Sequence, residues 1–136
     1  MKRLVLLGGG NAHAHVLKAI GEALDPTVSV TLVSPVSVQV YSGMVPGFVA
    51  GHYGLAECGV DLGPLAARAR ALVARSAGAL VSPGRREVIL ANGESVRYDV
   101  LSIDIGSRPL LGDVVGVDRH AVPVRPLETF VTAWEE

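Results

Sequence analysis

Two glycines, Gly8 and Gly10, follow an apolar run near the start of the chain, in the sequence LVLLGGGNAHAHVL. In this pattern the first glycine permits a tight turn out of a strand. The second, which lacks a side chain, lets a pyrophosphate reach backbone N–H groups at the positive end of the following helix. His13 replaces the third glycine of the G-x-G-x-x-G pattern, which implies either a slightly displaced helix or a ring that points toward the ligand or the next segment. The stretch predicts a dinucleotide-binding turn, with an ordinary glycine-rich turn as the alternative.

Ser34 ends the second apolar run, in VTLVSP, where a standard NAD site has an acidic residue that binds the adenosine ribose. A serine hydroxyl can take part in ribose binding, but it lacks the charge. This residue therefore argues against a standard NAD site and favours a ligand that is anchored by several segments.

The other reactive side chains do not form a recognisable catalytic or metal-binding set. Cys58 is the single cysteine, so the sequence has neither an internal disulfide nor a C-x-x-C pair for dithiol chemistry. His13 and His15 are two residues apart and face different sides of a helix, which disfavours a shared metal ion. The sequence has no Tyr-x-x-x-Lys or comparable acid/base set, which disfavours a nicotinamide-dependent reductase with its own substrate pocket. We therefore predict no metal site and assign no catalytic residue.

Length and charge narrow the class of protein further. The 136 residues fit one domain, and a formal net charge of -1 with scattered basic residues disfavours a nucleic-acid partner. No apolar run reaches the roughly 18 residues that a membrane-spanning helix needs. The apolar run before Gly8 is too short for a signal peptide, so a cytoplasmic location is predicted.

Periodicity predicts an α/β fold, with a Rossmann-like parallel sheet and a small antiparallel β-meander. We expect sheet strands at 2–7, 28–33, within 71–75 and at 99–105, and helices at 11–24, from Pro64 onward and at 127–134. The meander is expected at 77–82, 86–91 and 94–98, and its second turn is the hairpin sequence Asn92-Gly93. Residues 34–63 lack periodicity and are rich in glycine, which indicates a long functional loop.

Four stretches in this order resemble a known family: GGGNAHAHVL, YSGMVPGFVAGHYG, VDLGPLA and YDVLSIDIGSRP. The chain is similar to the FAD-dependent pyridine nucleotide-disulphide oxidoreductase superfamily. It is most similar to the branch near type II NADH dehydrogenases and sulfide:quinone oxidoreductases, some of whose members are joined to selenophosphate synthetase. The resemblance covers nearly the whole chain and implies the FAD-binding half of a flavoprotein, with NAD(P)H bound elsewhere in the full-length relative.

The resemblance also implies which residues contact FAD. The glycine loop would hold the pyrophosphate, the end of the second strand would lie beside the adenosine ribose, and the strand near residue 75 would meet adenine. The segment 41–46 would approach the flavin, and the segment 105–107 would pass back against the cofactor. The matched residues are Gly8, Gly10, Asn11, Ala12, His13, Ser34, Pro35, Ser42, Gly43, Met44, Pro46, Arg75, Ser76, Ile105, Gly106 and Ser107.

The sequence departs from these relatives after Gly106, where neither a second glycine loop for NAD(P)H nor a later segment that closes over the flavin is found. We interpret the chain as a single FAD-binding-type domain, the N-terminal part of a longer oxidoreductase that passes electrons to a quinone or another small acceptor. Alone, it is expected to hold FAD weakly or not at all and to lack NAD(P)H oxidation. The alternative is a non-catalytic module that binds a nucleotide or mediates assembly.

The shortness of the chain leads to one expectation about its surface. Apolar side chains meant for the missing part are expected to be exposed around Met44, Val45, Phe48 and Trp134. Such a surface would favour homo-oligomerisation. In the full-length relative, peripheral contact with a membrane is the corresponding expectation.

Overall fold

The computed structural model describes residues 1–110, 112 and 114–135, and no helix in this part is both long and apolar enough to cross a membrane. Two compact units are present: the sheet unit, Met1–Gln39 with Val60–Ile105, and the loop unit, Val40–Gly59 with Gly106–Glu136. In chain order the elements are β1 (Lys2–Leu7), α1 (Asn11–Glu22), β2 (Val28–Val33), β3 (Val38–Val40), α2 (Val45–Val49), β4 (Gly59–Asp61), α3 (Leu62–Arg68), β5 (Leu72–Ala74), β6 (Gly78–Ser82), β7 (Glu87–Leu90), β8 (Ser95–Arg97), β9 (Val100–Ile103), α4 (Val117–His120) and α5 (Leu127–Glu135).

The sheet unit is built on a four-stranded parallel sheet in the order β5-β2-β1-β9. In the central strand β1, Leu6 pairs with Leu32 of β2 and with Ser102 of β9. A strand that is covered on both faces needs apolar side chains on both, which explains the leucine- and valine-rich sequence of β1. The parallel sheet confirms the predicted Rossmann-like fold. β3 and β4 form a separate two-stranded sheet.

Alternate side chains of β1 reach opposite faces of the sheet. On one face, Leu6 belongs to a buried cluster with Leu17 of α1 and Leu62 of α3. On the other face, Val5 and Leu7 belong to a cluster whose further buried members are Val33, Val88, Leu90 and Tyr98. Burying one such side chain contributes about 1.5–3 kcal/mol, so packing on both faces fixes β1 and the loop after it.

The antiparallel meander of β6, β7 and β8 confirms the second part of the predicted fold. Gly93, in the turn between β7 and β8, has a φ of 87°, which the Asn-Gly hairpin sequence accommodates. Just before β9, the Asp99 carboxylate accepts hydrogen bonds from the Arg3 backbone N–H at 2.7 Å and from its guanidinium at 2.8 Å. The side-chain hydrogen bond from Arg3 is the main reason that the pKa of Asp99 lies below its usual range.

Three element boundaries differ from the prediction by two residues, at the end of α1, the start of α3 and the end of β9. α1 is two residues shorter than expected. α3 begins at Leu62, before Pro64, because the Asp61 side chain accepts a hydrogen bond from the Gly63 N–H and so caps the helix. β9 stops two residues earlier than expected, so Asp104 lies just beyond the strand.

The loop unit is held together by an apolar cluster. Its buried members are Val40, Val45, Cys58, Leu127, Phe130 and Val131, and Met44 and Phe48 pack against them. The predicted exposure of this region was wrong for Val45, which is buried because it belongs to the cluster. Trp134 is 51% exposed, as expected, and its ring stacks on Phe130 with 6.1 Å between the centroids.

Candidate functional site

The carboxyl ends of the four parallel strands lie side by side at one edge of the sheet unit. Three backbone hydrogen bonds continue the sheet beyond the strands: Gly8 N–H donates to Val33, Ser34 N–H to Ala74, and Asp104 N–H to Leu7, at 2.8 to 3.1 Å. In an open α/β sheet this edge forms the crevice where ligands bind. The structure therefore brings together the predicted glycine loop, the Ser34 segment, the Arg75 segment and the residues after β9.

Gly8 is the residue at which β1 turns toward α1. Its φ is 97°, a left-handed conformation that residues with a side chain rarely adopt. A Cβ at this position would also overlap the backbone carbonyl of Asp104. The same carbonyl accepts a hydrogen bond of 3.2 Å from the Gly10 N–H. Gly8 is thus required both by the turn and by the close approach of the chain that leaves β9.

Gly10 faces the side chain of Asp104. A Cβ at Gly10 would overlap the carboxylate, and one carboxylate oxygen accepts a hydrogen bond of 3.2 Å from the backbone N–H of His13. His13 contributes the third N–H of α1, one of the four at a helix start that have no partner inside the helix. The space that Gly10 leaves open is therefore used by an anion that belongs to the protein itself.

Two further N–H groups at the start of α1 remain free for a ligand. Those of Asn11 and Ala12 have no acceptor in residues 1–110, 112 and 114–135. Asn11 is half-buried and Ala12 is exposed. α1 has 12 residues, long enough for its aligned peptide dipoles to favour negative charge at this end. The start of α1 can therefore accept phosphate oxygens on two N–H groups while Asp104 holds the third.

The ring of His13 points into the protein and not toward a ligand. It is 1% exposed, and its Nδ1 and Nε2 lie 2.7 Å from the Gly8 carbonyl and 2.9 Å from the Ser102 hydroxyl. A carbonyl only accepts, so Nδ1 must carry a proton and donate it, and in the neutral ring Nε2 accepts from Ser102. The residue that replaces the third glycine thus ties α1 to the ends of β1 and β9. It can serve a ligand indirectly, through the loop that its ring holds in place.

The Ser34 side chain is also engaged inside the protein. It is 1% exposed, its hydroxyl donates to the Val36 carbonyl at 2.9 Å, and it accepts from the Val36 N–H at 3.3 Å. Pro35 and Arg75 next to it are exposed, whereas the Ser76 hydroxyl donates to the Ala77 carbonyl. The positions matched to adenosine therefore offer backbone, the Pro35 ring and the Arg75 side chain.

The remaining predicted site residues belong to the loop unit. Ser42, Gly43 and Met44 form a single turn of 3-10 helix, and Pro46 lies exposed in the first turn of α2. Gly106, with a φ of 77°, and Ser107 are exposed. Within this unit the 42–46 residues join the apolar cluster through Val45, a buried member, and through Met44, which packs against it.

Asp104 is the site residue that the sequence interpretation missed. It lies in the stretch YDVLSIDIGSRP, one residue before the predicted Ile105, and it contacts both ends of the glycine loop. An acidic residue directly after an apolar parallel strand was the signal, because the ends of such strands meet the glycine loop. The partner of its carboxylate is 91 residues away in the sequence, which no local pattern reveals.

Three solved structures with a similar fold are each much longer than this chain. Sulfide:quinone oxidoreductase from the hyperthermophilic bacterium Aquifex aeolicus superposes with a TM-score of 0.75 at 22% identity, over 99% of this chain and 32% of that one. NDH2 from Plasmodium falciparum, in complex with NADH, superposes with a TM-score of 0.77 at 18% identity, over 96% of this chain and 27% of that one. A NAD-dependent persulfide reductase from A. fulgidus superposes with a TM-score of 0.76 at 20% identity, over 98% of this chain and 27% of that one.

These likenesses establish the fold of the chain. This fold agrees with the one that the resemblance of the sequence stretches implied. The chain spans about a third or less of the length of the structures it matches. No protein-family model matches the sequence, and no curated protein matches it.

Proposed function

We propose that this chain is the FAD-binding portion of an NAD(P)H-dependent flavin oxidoreductase that passes electrons to a quinone or another small acceptor. The observation that carries the proposal is the pair of free N–H groups, on Asn11 and Ala12, beside the left-handed Gly8 at the carboxyl edge of the sheet. Backbone N–H groups at a helix start are the usual ligands of a dinucleotide pyrophosphate. The fold likeness to pyridine-nucleotide-linked oxidoreductases supports the same conclusion.

The residues at this edge fit the pyrophosphate of FAD better than they fit its ribose. The N–H groups of Gly8 and Gly10 are bonded to Val33 and Asp104, so the free N–H groups of Asn11 and Ala12 would supply the hydrogen bonds to phosphate oxygens. The Ser34 hydroxyl is already bonded to Val36, so a ribose would have to be held by other groups. When bound, FAD would supply hydride chemistry that no side chain of this edge provides. The chain's own share is to bind, to orient, and to keep the turn rigid through His13.

The rest of the proposal concerns the full-length protein of which this chain would be a part. NAD(P)H would bind to a second dinucleotide-binding part, and the segment 42–46 would approach the flavin. We further propose a cytoplasmic protein without a nucleic-acid partner, with peripheral membrane contact if the acceptor is a membrane quinone. Homo-oligomerisation would cover exposed apolar side chains such as Trp134.

A second candidate function is a non-catalytic nucleotide-binding or assembly module. It is favoured by the engagement of the polar side chains at the edge, because His13 and Ser34 are both buried and bonded within the protein. Such a module would use the same phosphate site and would transfer no electrons.

The test is a titration of the purified 136-residue chain with FAD, followed by absorbance in the flavin bands and by equilibrium dialysis. We expect weak binding or none, and we expect Gly10→Val to abolish any binding, because its side chain would clash with Asp104 at the start of α1. The control is Gly84→Val, at a glycine in the β6–β7 turn where a Cβ meets nothing within 4 Å. If Gly10→Val binds FAD as well as the unmodified chain, the glycine loop is not the site.

NADH oxidation with a quinone acceptor, measured after FAD is added, separates the two candidates. We expect no turnover by this chain alone, and turnover when the chain is part of its full-length protein. FAD binding without turnover in the full-length protein would favour the non-catalytic module. Steady turnover by the 136-residue chain would contradict the proposal that it is only the flavin-binding portion.

A further inference from the structure

An acidic side chain lies where the proposed ligand is itself an anion. The Asp104 carboxylate contacts the open side of Gly10 and accepts the N–H of His13, so it occupies part of the helix start to which a pyrophosphate would bind. A carboxylate is a good acceptor for this N–H and is stabilised by the positive end of α1. Asp104 is therefore a tethered anion in the phosphate-binding turn.

The Asp104 carboxylate forms no ion pair among the described residues. The ion pairs of the described residues are Arg3–Asp99 and Arg85–Glu87, and neither includes Asp104. Arg75, the basic residue directly after β5 at this edge, is exposed and is in neither pair. Asp104 itself is half-buried, which leaves its charge less screened than that of a fully exposed group. A pyrophosphate on Asn11 and Ala12 would meet this charge at the next N–H of the same helix turn.

We propose that Asp104 sets the affinity of this turn for phosphate-bearing nucleotides. Its carboxylate competes with the ligand for N–H groups at the start of α1, and its charge repels the pyrophosphate. This inference rests on the proposed function and adds a specificity residue to the same site. It assigns Asp104 a role in discrimination: ligands with more negative charge at the helix start are disfavoured more strongly than neutral ones. A dinucleotide must then gain affinity from contacts along its whole length, which a free diphosphate lacks.

Asp104→Asn is the variant that isolates the charge, because an asparagine oxygen can still accept from the His13 N–H. The matched control is Glu22→Gln, which removes one negative charge from the exposed opposite end of α1. Titration calorimetry with ADP, FAD and adenosine, at low and high salt, compares both variants with the unmodified chain. Thermal unfolding of each protein shows whether the fold is retained.

With Asp104→Asn we expect ADP and FAD to bind about tenfold more tightly, equivalent to about 1.4 kcal/mol. Adenosine, which has no phosphate, should bind with unchanged affinity, and the gain for ADP should shrink in high salt because the effect is electrostatic. Glu22→Gln should leave every affinity unchanged. A purely structural role for Asp104 would change ADP and adenosine binding alike.

The outcomes separate the two proposals. If the unmodified chain binds FAD and ADP, and Asp104→Asn binds them no more tightly, the inference is wrong while the phosphate site stands. If neither protein binds FAD or ADP, the start of α1 is not a phosphate site in this chain and the inference fails. Binding that appears only in Asp104→Asn would support both, since the charge alone would then have hidden the site.

Discussion

The carboxyl edge of the sheet unit and the interior of the loop unit are stabilised in opposite ways. At the edge, a hydrogen bond to the Gly8 carbonyl holds the His13 ring, and Gly8 packs directly against the backbone of Asp104. In the loop unit, Val45 and Phe130 are fixed by apolar packing among side chains from distant parts of the chain. Substitutions that add atoms should therefore destabilise the edge, whereas substitutions that remove atoms should destabilise the loop unit.

Gly8→Ala should have the largest effect on stability. The alanine backbone would have to adopt a left-handed conformation, and its Cβ would overlap the Asp104 backbone. We therefore expect a loss of about 3–5 kcal/mol in the free energy of unfolding. Gly93→Ala is the matched control, because Gly93 has a similar φ but nothing within 4 Å of its Cβ position. It should cost about 1–2 kcal/mol. Equal losses in urea denaturation would mean that the close approach to Asp104 is unimportant.

Phe130→Ala should have the next largest effect, through removal of atoms. Phe130 is buried in the apolar cluster of the loop unit, and its loss should cost about 3–4 kcal/mol in that unit. Because Trp134 stacks on Phe130 and is the single tryptophan, its fluorescence should report the change. Val49→Ala, at an exposed apolar residue of α2, serves as the control and should cost less than about 0.5 kcal/mol. A Phe130→Ala protein with unchanged fluorescence and stability would contradict the packing described for this unit.

His13→Ala tests how far hydrogen bonds alone hold the edge. The substitution removes both ring contacts and leaves the Gly8 carbonyl and the Ser102 hydroxyl without them, for which we expect a loss of about 2–3 kcal/mol. Ser102→Ala removes one contact and should cost about 1 kcal/mol. In a double-mutant cycle the two losses should not add, because the residues share a hydrogen bond. Additive losses would show that the His13–Ser102 bond contributes nothing.

The ion pair between Arg3 and Asp99 should have the smallest effect, and it should depend on pH. The pKa of Asp99 is lowered in the folded protein, so the stabilisation is present above the unfolded value of 3.8 and is lost as the pH falls through the folded value. Arg3→Gln should therefore reduce stability at pH 7 and have less effect in strong acid. Urea denaturation at several pH values measures this, with Arg85→Gln, at the exposed member of the Arg85–Glu87 pair, as the comparison. An Arg3→Gln protein whose stability loss does not change with pH would contradict the assignment.

Local patterns were enough to predict the elements of the sheet unit. The apolar runs of β1 and β2, the helix between them and the Asn92-Gly93 hairpin are all set by residues close together in sequence. The inward direction of the His13 ring could not be predicted in this way, because its partner Ser102 is 89 residues away. The same reason hid Asp104 at the start of α1.

The loop unit was predicted less well, for a different physical reason. Residues 34–63 gave no periodicity, so the short helix α2 and the two-stranded sheet were not foreseen. Val45 was expected on the surface because its buried partners, such as Leu127, come from a separate segment of the chain. Burial of this kind depends on packing between segments and is not encoded in the spacing of apolar residues within one of them.

The position of β9 in the sheet also bears on the order in which the protein folds. β1 and β2 are joined by a short crossover, whereas the contact of Arg3 with Asp99, at the start of the β1–β9 pairing, closes a loop of 96 residues. Closing long loops costs more entropy, and such contacts form late. On the ribosome, β1, α1 and β2 are made long before Asp104. We therefore expect the glycine loop after β1 to stay unanchored until the meander and β9 have been synthesised.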